Sequence, residues 1–194
     1  PKDNRPLARG VLGPRPRKDG GLWTIRWTQA PRPGAKPDFA VLALPACEIM
    51  NGWLLSRSID DLLGCAISLE VLRRLCAARA KVNLTVLLNR AEEVGFVGAL
   101  DMIRSGMLSP YDSYLSIEAS RELPGSRPGG GPTIRLGDKA AAFDANLTAL
   151  LDDAAVRLRK RGTRIQRRRL SGGTCEATAY LAFGYESGGV AVPS

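Results

Sequence analysis

The chain has 194 residues, enough for one hydrophobic core or for a core with a small satellite domain. Of these residues 44% are hydrophobic and 24% are charged, which is typical of a soluble globular protein. Its net charge of +9 fits nucleic acid binding, an anionic surface or plain solubility. No apolar run approaches the length that spans a bilayer, and the first residues lack the apolar region of a secretory signal.

Residues 1–55 are rich in Pro, Gly and Arg and contain all three tryptophans. Alternating apolar residues predict short strands over 22–27, 38–44 and 52–55. Short strands broken by Pro and Gly are typical of a small β-module.

From Ser56 onward the pattern alternates between helices and strands. Helical periodicity is expected over 60–79, 96–105, 144–161 with Asp144 as N-cap, and 177–183. Strands are expected over 82–88, 114–118, 133–136, 164–170 and 190–192. This order predicts an α/β fold with a mainly parallel central sheet flanked by helices, which spans residues 56–194.

Carboxylates fall where strands end or helices begin. Glu92 and Glu93 follow the predicted strand 82–88, Glu118 ends the next one, and the pair Asp60-Asp61 opens the first helix. Ligands of open α/β sheets bind at the carboxyl ends of strands, and carboxylates suit divalent metal ions. One glutamate of an adjacent pair could bind a metal while its neighbour acts as general base.

Each of these features also has a plainer explanation. Acidic residues at a helix N-terminus stabilise the helix dipole or cap the helix, which would account for Glu92-Glu93 and for Asp60-Asp61. Glu118 could simply face solvent. The basic run from Arg157 to Arg169 could bind phosphates, but charge runs are usually solvated faces, and no aromatic residue there could stack on bases.

The four cysteines form no Cys-x-x-Cys pair and lie in apolar surroundings. A zinc finger or a disulfide framework is therefore not expected. Buried free thiols in a reducing compartment are the default, which predicts the cytoplasm. The cysteines are Cys47, Cys65, Cys76 and Cys175.

Several motifs together resemble a known family. In chain order they are Ser-Ile-Asp-Asp at 58–61, Ala-Glu-Glu-Val-Gly at 91–95, Ser-Ile-Glu at 116–118, Arg-Leu-Gly-Asp at 135–138 and Ser-Gly-Gly-Thr at 171–174. Their order is similar to that of the cytosolic two-metal zinc aminopeptidases that assemble into tetrahedral particles, which include glutamyl aminopeptidases and endoglucanase-like metallopeptidases. The resemblance covers roughly residues 38–194.

The resemblance implies a role for each matching residue. Glu92 corresponds to the general base, Asp60 to the bridging metal ligand, and Glu93 and Glu118 to ligands of one metal ion each. Substrate binding is implied for Gly172, Gly173 and Thr174. The implied cofactors are two divalent metal ions, zinc with cobalt or manganese as alternatives. Peptide substrates and a homo-oligomer between a dimer and a dodecamer are implied too, with residues 1–55 as a partial β-barrel for oligomerisation or as a lid.

The chain departs from the family in that it contains no histidine, and also in that Cys175-Glu176 follows the Gly-Gly-Thr loop in place of the more usual Asp-Ala. The family completes its site with two histidines, one before the β-module and one after the Gly-Gly-Thr loop. The chain is therefore expected to be either an internal piece of a longer enzyme or an inactive binding or assembly protein. Asp60, Glu93 and Glu118 alone would form a weak, hydrated site suited to Mg²⁺ or Mn²⁺, so little peptidase activity is expected of these 194 residues alone.

Overall fold

The computed structural model describes residues 6–13, 23–35 and 39–194. The chain divides into two compact units, Pro1–Leu44 and Pro45–Ser194. In the first unit, strand β1 (Arg9–Leu12) pairs antiparallel with strand β2 (Ile25–Gln29). The predicted strand 22–27 begins outside the described residues and is observed three residues further along. The boundary and the role predicted for residues 1–55 remain predictions.

The predicted strand 38–44 is wrong over its described part. Residues 39–44 adopt no regular structure, and Phe39 is 82% exposed. A strand needs a neighbour to which its backbone can bond, and no ladder partner lies beside this segment within the described residues. The alternation of apolar side chains predicted a strand, but it carries no information about whether a partner strand is present.

The second unit begins with a hairpin of β3 (Glu48–Met50) and β4 (Trp53–Leu55). Its turn residues Asn51 and Gly52 both have positive φ, 52° and 81°. Asn-Gly is the favoured pair for such a turn, because both residues tolerate left-handed backbone.

A central sheet of four strands follows, in the order β5-β8-β6-β7. Two of its three pairings are parallel, β5 with β8 and β6 with β7, whereas β6 and β8 are antiparallel. The strands are β5 (Ser113–Ser120), β6 (Thr133–Arg135), β7 (Gln166–Arg168) and β8 (Glu186–Pro193). The helices are α1 (Ile59–Ala77), α2 (Val97–Arg104), α3 (Ala145–Arg159) and α4 (Glu176–Ala182). The predicted α/β class with a mainly parallel central sheet is confirmed.

Two apolar clusters hold this unit together. One joins α2 and α4 through Ala99, Ile103 and Tyr180, and Tyr114 of β5 stacks on Tyr180 with 5.0 Å between ring centroids. The other packs Phe143 against Cys175 and Ala177. Both clusters include residues at the start of α4 or within it. The two clusters therefore fix the position of α4 beside the sheet.

The N-cap predicted for α3 is confirmed. The Asp144 carboxylate accepts hydrogen bonds from the backbone N–H groups of Asn146 and Leu147, at 2.8 and 2.9 Å. These bonds satisfy N–H groups that the first helical turn leaves without partners.

The strand predicted over 82–88 is wrong. The segment makes no sheet ladder with any described residue, and Val82 is 58% exposed. Leu87 within it packs against the core cluster of α2 and α4. An apolar, β-branched run favours extended backbone, but a strand also requires hydrogen bonds to a neighbouring strand.

The cysteines only partly follow the expectation of buried thiols. Cys175 is buried, Cys65 is half-buried, and Cys47 and Cys76 are exposed, all four of them free. The apolar residues near Cys47 and Cys76 are themselves largely exposed, so an apolar sequence context did not imply burial here. Within the described residues, no helix is both long enough and apolar enough to cross a membrane.

Candidate active site

Asp60 and Asp61, at the start of α1, have different hydrogen-bonding environments. Both have non-helical backbone angles, and the peptide bond between them is cis. Asp61 Oδ1 accepts a hydrogen bond from the Gly64 N–H at 3.0 Å, so Asp61 caps the regular part of the helix. A Cβ on Gly64 would lie 2.2 Å from Asp61 Oδ2, so this cap depends on glycine at 64. Asp60 is exposed and free of hydrogen bonds and ion pairs to described residues. The capping explanation therefore accounts for Asp61 and leaves Asp60 available.

Glu92 and Glu93 do not begin an α-helix. They lie in a short 3-10 turn, Glu92–Val94, and α2 starts only at Val97. Ala91 before the turn and Phe96 after it both have φ of 58°, in the left-handed region. A non-glycine residue there costs roughly 1–3 kcal/mol, and such strain concentrates at functional sites. Stabilisation of the α2 dipole therefore does not explain the pair.

Glu92 sits among other carboxylates. Burial is the largest cause that raises the pKa of Glu92, followed by the negative charges of Glu93, Glu176, Asp60 and Asp61, and together they bring it to about 7. The structure thus brings Asp60 and Glu93 close enough to Glu92 for their charges to act on it. A carboxylate with a pKa near neutral is well matched to general-base catalysis.

Glu118 has a different environment from the other predicted ligands. It lies on β5 and forms an ion pair with the guanidinium of Arg135 on β6. Arg135 is buried, and its guanidinium carbon lies 5.3 Å from the centre of the Phe143 ring. The structure therefore places Glu118 against a cation that the protein itself supplies.

The loop of Gly172, Gly173 and Thr174 is exposed and leads directly into α4. Its carbonyl groups are anchored from two sides. Arg121 donates to the Gly172 oxygen at 3.3 Å, and the Lys139 N–H donates to the Gly173 oxygen at 2.9 Å. The loop is followed in the chain by Glu176, the first residue of α4, whose charge acts on Glu92.

Asn89 and Glu176 are residues of this site that the sequence did not single out. The Asn89 amide donates to Glu176 Oε2 at 3.0 Å and to the Tyr180 hydroxyl at 2.9 Å. These bonds tie the segment before Glu92 to α4. Burial raises the pKa of Glu176, which the Asn89 hydrogen bond lowers in part. A single Asn carries no sequence signal for such a bridge, because its partners lie far away along the chain.

Replacing Asn89 with Leu is expected to destabilise the protein by about 1–3 kcal/mol. Glu176 Oε1 is buried without a partner among the described residues, so the substitution would leave both oxygens of that carboxylate unbonded. Urea unfolding followed by circular dichroism measures the change. Asn146→Leu, at an exposed position of α3, is the matched control and should shift stability by less than about 0.5 kcal/mol. Equal stabilities of the two variants would contradict the bridge.

The described residues do not form a complete metal-ligand set. No group of three or more His, Cys, Asp or Glu side chains among residues 6–13, 23–35 and 39–194 is arranged to hold a metal ion. The negative charge of the carboxylates around Glu92 is suited to a divalent cation. Asp60 and Glu93 are exposed and so could be reached by one. Glu118, paired with Arg135, fits less well.

The basic run Arg157–Arg169 lies apart from these carboxylates in sequence, at the end of α3 and on β7. Several of its guanidinium groups already have partners: Arg167 pairs with Asp152, Arg159 donates to the Ile165 carbonyl, and Arg164 donates to the Gly129 carbonyl. An open cleft of about 750 Å³ lies beside Arg159 and Arg164. The run forms the end of α3 and the edge strand β7, and its arginines are exposed.

Solved structures with a similar fold include three peptidases. Aminopeptidase APDkam598 from Desulfurococcus kamchatkensis matches with a TM-score of 0.68 and 22% identity over 98% of this chain and 58% of that chain. The TET aminopeptidase of Thaumarchaeota archaeon SCGC AB-539-E09 matches at 0.63 and 20%, over 77% and 44%. The Pyrococcus horikoshii TET1 peptidase, which can assemble into a tetrahedron or a large octahedral shell, matches at 0.61 and 21%, over 95% and 59%.

These identities establish a shared fold, and the chain spans only 44% to 59% of the length of these structures. None of the curated proteins matches this sequence. The model of the M42 glutamyl aminopeptidase family matches residues 34–194, most of the chain, and confirms the family that the order of motifs suggested. The chain belongs to the M42 glutamyl aminopeptidase family.

Proposed function

We propose that this chain supplies the general base and part of the metal site of an aminopeptidase that removes N-terminal residues from peptides. The observation that carries the proposal is the environment of Glu92. Burial and four neighbouring carboxylates raise the pKa of Glu92 to about 7, at the position where the family motif has its base. A base of this pKa can take a proton from the attacking water near neutral pH.

Asp60, Glu93 and Glu118 are the residues proposed to hold divalent cations, with zinc, cobalt or manganese as candidates. Such cations, when bound, make water more acidic and stabilise negative charge that develops on a carbonyl oxygen. The absence of histidine from the sequence means that nitrogen ligands would have to come from outside these 194 residues. Asp60 and Glu93 are exposed and therefore accessible to a cation.

The loop of Gly172, Gly173 and Thr174 is proposed to line the substrate position. Its backbone carbonyls are held by Arg121 and Lys139, so the loop is ordered before a substrate arrives. The cluster of carboxylates around Glu92 creates a negative potential that favours the positively charged amino terminus of a peptide. This potential supports removal of terminal residues over cleavage within a chain.

A homo-oligomer is the proposed assembly, in the cytoplasm. The β3–β4 hairpin exposes a run of large apolar side chains, of which Ile49 is the most exposed at 82%. Apolar patches of this kind mark protein interaction sites. The other members of the run are Met50, Trp53 and Leu54.

A non-catalytic binding or assembly protein is the second candidate. The Glu118–Arg135 ion pair and the absence of histidine favour it, because both reduce the capacity to hold metal ions. The reading frame of the gene discriminates between the two. Flanking sequence that carries metal-binding histidines supports the enzyme, whereas a natural start and stop at these termini supports the second candidate.

The full-length product of the gene is expected to release residues one at a time from the free N-terminus of a short peptide when Zn²⁺, Co²⁺ or Mn²⁺ is supplied. Mass spectrometry of the products measures the release. The N-acetylated form of the same peptide is the control and should stay intact, because it lacks the charged terminus. Cleavage at internal bonds, or no cleavage with any of the three cations, would refute the proposed activity.

A further inference from the structure

Arg135 and Glu118 reach each other across the central strand of the sheet. On β8, Glu118 of β5 is paired with Ala191, and Arg135 of β6 is paired with Gly189. Residues two apart on a strand share a face, so Glu118 and Arg135 lie on the same face with β8 between them. The ion pair is therefore a bridge over β8.

Gly189 leaves the space through which the bridge passes. A Cβ at this position would lie 3.1 Å from Cε2 of Phe143 and 3.4 Å from Cδ of Arg135. The Phe143 ring also contacts the guanidinium group of Arg135. Glycine in a central strand commonly marks such a close approach, and here it lets the arginine stem lie flat across the sheet.

The ion pair between Arg135 and Glu118 is largely buried. Arg135 is 4% exposed and Glu118 is 21% exposed. Within the described residues, Glu118 is the ion-pair partner of Arg135, and Arg135 Nε has no hydrogen-bond partner. A buried charge that loses its counter-ion is strongly unfavourable, so any event that takes Glu118 away from Arg135 is opposed by the fold.

We propose that Arg135 is an internal cation that competes with a divalent metal ion for the Glu118 carboxylate. The inference rests on the proposed function, in which Glu118 is a metal-binding residue. A guanidinium and a dication on one carboxylate repel each other, so metal binding at Glu118 requires Arg135 to withdraw. Asp60 and Glu93 have no such competitor among the described residues. Arg135 therefore weakens the cation position at Glu118 selectively.

A Mn²⁺ titration of the 194-residue chain, with free Mn²⁺ followed by electron paramagnetic resonance, tests this. Arg135→Met is expected to bind Mn²⁺ at least about tenfold more tightly than the wild type, or to gain one bound ion, because a like charge has been removed. Arg167→Met removes an exposed Arg–Asp pair on the neighbouring strand and is the matched control, with wild-type affinity expected. Circular dichroism verifies that each variant is folded.

A second measurement needs no destabilising substitution. In the wild-type chain labelled with ¹⁵N-arginine, saturating Zn²⁺ is expected to move the Arg135 side-chain signal and to leave the Arg167 signal in place. Arg135→Lys, which keeps the charge, identifies the signal by its loss. Zn²⁺ binding that leaves the Arg135 signal unmoved overturns the competition.

The outcomes separate the inference from the proposed function. Equal Mn²⁺ affinity and stoichiometry in the wild type and in folded Arg135→Met overturns the competition at Glu118 and leaves the proposed metal roles of Asp60 and Glu93 intact. Failure of both chains to bind Mn²⁺ overturns the competition and the proposed metal role of these carboxylates together. The peptide assay described above tests the aminopeptidase activity independently of either result.

Discussion

Replacement of Glu92 by Gln is expected to lower kcat of the full-length gene product by about 10²–10⁴-fold, the usual contribution of a positioned general base. Glutamine has nearly the same shape but cannot accept the proton of the attacking water. Metal content and fold should be unchanged, because Glu92 is proposed as base and not as ligand. Initial rates on a peptide with a free N-terminus, together with metal analysis of the purified variant, measure both effects.

The neighbouring residue supplies the comparison for this experiment. Glu93→Gln is expected to lose bound metal as well as activity, because Glu93 is the proposed ligand of the pair. Glu122→Gln, at an exposed position outside the site, should retain wild-type rates. A wild-type kcat in Glu92→Gln would contradict the role of Glu92 as base. Loss of metal in Glu92→Gln but not in Glu93→Gln would show that Glu92 is the ligand.

The same roles predict how the rate depends on pH. The base must be deprotonated to act, so kcat/KM should rise with pH up to the pKa of Glu92. Burial and the surrounding carboxylates raise that pKa to about 7, and a bound dication would lower it by attracting the charged form. The rising limb should therefore lie at or below pH 7 and disappear in Glu92→Gln.

The helices were the more predictable part of this fold. The periodicity of α1 and α3 and the capping side chain of Asp144 are local signals, and the structure bears them out within a few residues. The extended segments were harder, because a strand exists only beside another strand. Residues 82–88 carry a strong β pattern without a recorded ladder, whereas β8 is longer than its apolar core of 190–192 predicts, because it pairs on both sides.

The candidate site shows the same division between local and distant information. Asp60, Glu92, Glu93 and Glu118 could be named from motifs that lie within a few residues of each of them. The partners that decide what these carboxylates can do come from other elements. Arg135 belongs to another strand, and Asn89 and Glu176 meet across 87 positions of sequence. No pattern in one sequence indicates such pairs.

Asp138 is a buried charged residue whose hydrogen bonds organise the loop of residues 172–174. It is 0% exposed, and its carboxylate accepts from the N–H groups of Ala140, Ala141 and Cys175 at 2.8, 2.9 and 3.1 Å and from the Thr178 hydroxyl. Its bonds therefore join the turn after β6 to the start of α4. The Gly172–Thr174 loop lies between these anchored points, so its shape depends on Asp138.

Replacement of Asp138 by Asn is expected to lower the free energy of unfolding by about 3–5 kcal/mol, because a charged acceptor with several partners is lost inside the protein. The amide NH₂ of asparagine would also face N–H donors where an oxygen had accepted. Urea unfolding at pH 7 measures the change. Asp153→Asn, at an exposed position of α3, is the matched control and should change stability by less than about 0.5 kcal/mol.

The difference in unfolding free energy between the wild type and Asp138→Asn should also depend on pH, which gives a second and sharper test. Burial acts to raise the pKa of Asp138, but the hydrogen bonds from Thr178 and from the backbone of Ala141, Ala140 and Cys175 outweigh it, so the folded pKa lies below 3.8. The unfolded chain then binds the proton more readily than the folded protein. Stability from this group is complete above the unfolded value and is lost as pH falls through 3.8 toward the folded pKa. The difference in unfolding free energy between the wild type and Asp138→Asn should therefore become smaller between about pH 5 and pH 3. A difference that stays constant over this range would show that the charge of Asp138 does not hold the loop.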